Sequence, residues 1–72
     1  MHIGSLIKQT LVEQGRTSCW LARELFCSRA NIYKIYNKKS LDSDLLLRIS
    51  VLLKHDFFAD YRREYEQRVS NR

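Results

Sequence analysis

A chain of 72 residues is at the low end of what folds unaided, so one domain around one core is expected, without depth for a large catalytic cleft. Apolar residues make up 44% and charged residues 29%, the mix of an ordinary globule, which excludes a disordered or membrane segment. Thirteen Lys and Arg against eight Asp and Glu leave a net charge of +5, which suits nucleic acid or an anionic membrane surface, and charge alone does not choose between them. No apolar run reaches the roughly 18 residues of a membrane span. The opening Met1-His2-Ile3-Gly4-Ser5 lacks the basic and apolar regions of a signal peptide, so a cytoplasmic location is expected. Cys19 and Cys27 are too few and too far apart for a disulfide framework or a four-ligand metal site, so reduced thiols and no metal or cofactor are expected.

Proline is absent and glycine occurs only at positions 4 and 15, which favours helices joined by short turns and predicts an all-α fold. Ile3, Leu6, Ile7 and Leu11 recur at helical spacing, and Gly15 stops that first helix. Thr17 caps a short second helix with Leu21, Ala22 and Leu25 on one face, and a break near Phe26 and Cys27 follows. Ser28 caps a third helix with Ile32 and Ile35 inward and Arg29, Ala30, Asn31, Tyr33 and Lys34 outward. After the polar loop of Asn37 to Ser40, Asp42 and Asp44 open a fourth helix running to about Lys54, apolar on more than one side. Phe58, Tyr61, Tyr65 and Val69 trace one stripe of a fifth helix with a frayed end. No repeat or linker divides the chain.

The stretch TSCWLARELFCSRANIYKIY, from Thr17 to Tyr36, resembles the helix-turn-helix of the lambda-repressor-like, Cro-type DNA-binding family. Ala22, Ser28, Ile32 and Ile35 match that family's structural positions, and the likeness extends over about residues 3 to 58, including Leu46 to Ile49. The family often has glutamine where this chain has Ser18, and glycine in the turn where it has Phe26. A bulky residue is strained in the left-handed conformation that glycine takes, so the turn differs here or tolerates strain.

The resemblance implies a four- to five-helix lambda-repressor-like domain over 1–58, with 59–72 as a helical extension of the same unit. It further implies a sequence-specific binder of double-stranded DNA, a transcriptional regulator with the third helix, about 28–36, in the major groove. Arg29, Ala30, Asn31, Tyr33 and Lys34 are then the base-facing positions. Arginine and lysine can donate to guanine O6 and N7, and alanine can touch a thymine methyl. Ser18, Ser28, Tyr36, Lys38 and Lys39 are the candidate phosphate contacts.

One such helix covers few base pairs, so a homodimer with recognition helices about 34 Å apart is expected, acting as a repressor by promoter occupancy. Val51, Leu52, Phe57, Phe58, Tyr61 and Tyr65 are the interface candidates, with intramolecular packing as the competing role. The alternative is an antitoxin-like, partner-dependent interaction module gripping a protein through Trp20 and the aromatic tail. Trp20 either folds onto a neighbouring helix or forms a partner surface. Cys27 is expected to be a buried thiol, and His2 and His55 surface or capping residues. No nucleophile and base arrangement, phosphate loop or metal spacing is present, so an enzyme is not expected. Membrane binding is not expected either, because the cations do not line one face of a long helix.

Overall fold

The computed structural model describes residues 1–71. The chain is all-α: α1 (Ile3–Glu13), α2 (Ser18–Glu24), α3 (Arg29–Tyr36), α4 (Ser43–Leu53) and α5 (Phe57–Ser70). No strand occurs among the described residues, and no helix there is long and apolar enough to cross a membrane. The helices fall into two compact units, His2–Asp42 with α1 to α3, and Ser43 onward with α4, α5 and Met1.

In the first unit α3 packs on both α1 and α2. Ile3, Ile7 and Leu11 of α1 are buried, as the four-residue spacing requires, with Leu21, Ala22 and Leu25 after them and Ile32, Ile35 and Tyr36 of α3. Full burial of one aliphatic side chain contributes about 1.5–3 kcal/mol. Thr10, buried among these residues, satisfies its hydroxyl by donating to the Leu6 carbonyl at 2.8 Å.

The start of α1 is tied to the end of α3. The Ile3 amide donates to the Lys39 carbonyl at 3.0 Å and the Gly4 amide to the Lys38 carbonyl at 2.9 Å. His2 accepts from the Ser5 amide on Nδ1 and from the Leu6 amide on its carbonyl, so all four amides of the first turn have partners. Gly4 lies so close to α3 that a Cβ there would stand 2.3 Å from the Ile35 carbonyl oxygen and 2.4 Å from that of Tyr36.

Three helices end in the same way. Amides at Arg16, Cys27 and His55 reach back five residues to the carbonyls of Leu11, Ala22 and Ser50, while Gly15, Phe26 and Lys54 donate to Val12, Arg23 and Val51. This is the Schellman pattern, whose pivot residue takes a left-handed backbone. The pivots are Gly15 at φ 69°, Phe26 at φ 55° and Lys54 at φ 50°.

In the second unit α4 buries Leu46, Ile49, Ser50 and Leu53 and leaves Leu47 and Val51 exposed, so its apolar surface does extend beyond one side. Asp56 caps α5 by accepting from the Phe58 and Ala59 amides. That cap sets the phase in which Phe57 is fully buried, with its ring 4.4 Å from that of His55. His55 Nε2 in turn meets Asp60 Oδ2 at 2.7 Å, and Asp60 also pairs with Arg63. The Met1 ammonium pairs with Glu64 at 3.0 Å; this hydrogen bond and charge hold the Glu64 carboxyl below its ordinary value.

Two sequence expectations need correction. Phe57, a candidate for an intermolecular contact, is fully buried, because the Asp56 cap turns it inward and its neighbour Phe58 outward. Cys27 is half-buried instead of buried, since it lies in the turn and not on a packed helix face. The Tyr36 ring belongs to the core, which leaves its hydroxyl as the group available for the expected phosphate contact. The helix α5 continues to Ser70, braced by Arg62–Glu66 and Glu64–Arg68 pairs four residues apart, and the expected fraying at its end falls partly outside the described residues.

Candidate nucleic-acid interface

The hydroxyl of Thr17 accepts from the Trp20 amide at 3.0 Å and that of Ser28 from the Asn31 amide at 3.2 Å, so each short helix begins where its cap dictates. With Ile32, Ile35 and Tyr36 turned inward, helical periodicity leaves Arg29, Ala30, Asn31, Tyr33 and Lys34 outside, and all five are exposed. Tyr33 lies edge-on to Tyr36, with ring centroids 6.0 Å apart. Lys38 and Lys39 are exposed in the next turn, their carbonyls engaged by α1 as described. From Leu25 to Leu41 the chain carries Arg29, Lys34, Lys38 and Lys39 and no acid. An exposed surface of that kind attracts phosphate over a range set by salt.

The candidate phosphate contacts divide into two kinds. Lys38 and Lys39 have exposed side chains, and Ser28, whose oxygen accepts from Asn31, keeps its O–H to donate. Ser18 and Tyr36 instead meet each other, Oγ to hydroxyl, at 2.7 Å. Lys8, which sequence reasoning passed over, adds its ammonium 5.8 Å from the centroid of the Tyr36 ring, so α1, α2 and α3 each supply one polar group at this spot. No local pattern marks Lys8, because its neighbour is 28 positions away. Arg16 was passed over likewise. Its guanidinium stands 4.1 Å from the Trp20 ring centroid, which resolves the tryptophan as a half-buried ring covered by a cation.

The remaining candidates belong to the second unit. Val51, Phe58 and Tyr65 are exposed, Leu52 and Tyr61 half-buried, and Phe57 inaccessible. Among the described residues no three His, Cys, Asp or Glu side chains gather where they would hold a metal ion. Neither cysteine is in a disulfide. The chain matches no protein-family model, no curated protein and no solved structure.

Proposed function

We propose that this protein is a sequence-specific double-stranded DNA-binding regulator of the lambda-repressor-like class, a homodimeric repressor that acts by occupancy and catalyses no reaction. The observation that carries this reading is the exposed, acid-free face of α3, held by packing on α1 and α2 and followed by Lys38 and Lys39. A convex helix of this size fits the major groove, and its exposed side chains are chemically able to read base edges. Arg29, Ala30, Asn31, Tyr33 and Lys34 are assigned to bases. Lys38, Lys39 and Ser28 are assigned to phosphates, with the Ser18–Tyr36 hydroxyl pair and Lys8 as a further phosphate contact. The DNA-reading part is taken as 1–58 and the rest as its extension.

Selection of random duplex DNA by the purified chain near physiological salt tests the reading. Enrichment of an inverted repeat with half-site centres about 10 base pairs apart is expected. A bound pool without enrichment overturns sequence-specific recognition. A partner-dependent, antitoxin-like module is the second reading, favoured by Phe26, which is 92% exposed in the turn after α2. Under it the chain alone selects no sequence, and Phe26→Ser abolishes capture of the protein partner.

A further inference from the structure

The helix α5 (Phe57–Ser70) is anchored along one side, through buried Phe57, through Asp60 to His55 and through Glu64 to Met1. Beside that anchored side lies an uncovered apolar strip. Phe58, Tyr65 and Val69 are 40%, 66% and 54% exposed, and half-buried Tyr61 borders them. At about 100° per residue these four positions fall within a strip roughly 80° wide and about 16 Å long. Single exposed apolar residues are ordinary on a protein surface, but a continuous row on one helix is the mark of a contact face.

The charges along the strip indicate what covers it. In a chain of net +5, α5 carries three arginines and three acids, so it offers a polyanion or an anionic membrane no net attraction. Arg62 and Glu66 border the strip on the same side, 3.3 Å apart within the helix. A second α5 laid antiparallel, with the two-fold axis beside residue 64, sets Arg62 of each copy against Glu66 of the other. The same register brings Phe58 beside Val69 and Tyr61 beside Tyr65 of the second copy. Parallel pairing, with the two-fold axis along the helices, instead puts Arg62 and Glu66 of the two copies on opposite edges of the contact, where they cannot pair with each other.

We infer that α5 is the surface on which two copies of this chain meet, antiparallel, with Phe58, Tyr61, Tyr65 and Val69 at the centre and reciprocal Arg62–Glu66 pairs at the rim. Three turns of helix cover less than the roughly 1,600 Å² of a standard interface, so the dimer is a reversible one. The inference rests on the dimeric reading above for its purpose, but its test contains no DNA, so either can fail without the other.

Sedimentation equilibrium of the full chain under reducing conditions, up to about 500 µM, gives a monomer–dimer equilibrium for the unaltered protein. R62E presents two acids at the rim and E66R two arginines, and each is expected to weaken self-association by about tenfold or more. An equimolar mixture of these two variants restores association to near the unaltered level, although neither chain regains its own intrahelical pair. Circular dichroism confirms that each variant remains helical. A monomeric unaltered chain, variants that dimerise undiminished, or a mixture no tighter than its components overturns the inference. A mixture far tighter than the unaltered protein shows that Arg62 and Glu66 do not pair reciprocally in the native dimer and overturns the register.

Discussion

Phe26 stands in the turn after α2 where Gly15 stands in the turn after α1: each is the left-handed pivot of a Schellman motif, at φ 55° and 69°. Glycine takes that conformation freely, whereas for a residue with a Cβ it costs about 1–2 kcal/mol. Because the Phe26 ring is almost wholly exposed, its side chain adds little packing to offset that strain. Phe26→Gly is therefore expected to stabilise the fold by about 0.5–1 kcal/mol after allowance for the added freedom of the unfolded chain. Urea unfolding checks this, and a drop in stability would show that the ring makes an interaction stronger than the strain.

Gly4→Ala has the opposite sign. The added methyl group meets the carbonyl oxygens of Ile35 and Tyr36, which are backbone atoms and cannot rotate away. Relieving that clash also stretches the bonds from Ile3 and Gly4 to Lys39 and Lys38. A cost of about 1–3 kcal/mol is expected, with faster hydrogen exchange at the Ile3 and Gly4 amides.

The hydroxyls of Ser18 and Tyr36 depend on each other. Ser18→Ala or Tyr36→Phe alone strands a partly buried hydroxyl, at about 1–2 kcal/mol each. The double variant should cost little more than either single one, leaving a coupling near 1 kcal/mol in a double-mutant cycle. Additive effects would mean that the two groups are satisfied separately.

If α3 reads DNA, its cations and those of the following loop play separable parts. Arg29→Ala should relax the choice of base at one position in each half-site, by about 1–3 kcal/mol. Lys38→Ala or Lys39→Ala should weaken binding to all sequences alike and lower the salt slope by about one for each phosphate no longer neutralised. Binding measured to matched and mismatched duplexes over a range of salt distinguishes them, and identical behaviour would refute the division.

The features legible in the sequence were those set by neighbours a few positions apart. Thr17 and Ser28 announce their helices because a cap acts on an amide three residues on, and Gly15 announces a stop for the same kind of reason. The inward faces of α1 and α3 follow from spacing alone. The choice between Phe57 and Phe58 was not legible, because two adjacent phenylalanines satisfy composition equally and only the phase set at Asp56 separates them. Gly4, Lys8 and the Ser18–Tyr36 pair were missed for a different reason. Each meets a partner at least 18 positions away, and such pairings leave no local mark.

The loop bearing Lys38 and Lys39 is held by its carbonyls, and a carbonyl is the same whatever side chain accompanies it. Substitution at either lysine therefore leaves the attachment to α1 in place while changing the charge displayed. Selection is free to raise or lower attraction for a polyanion at these two positions without disturbing the fold, while Gly4, which makes the close approach possible, is given no such latitude. Affinity and architecture are thus assigned to different residues of one joint, and variation in a lineage should accumulate on the lysine side of it.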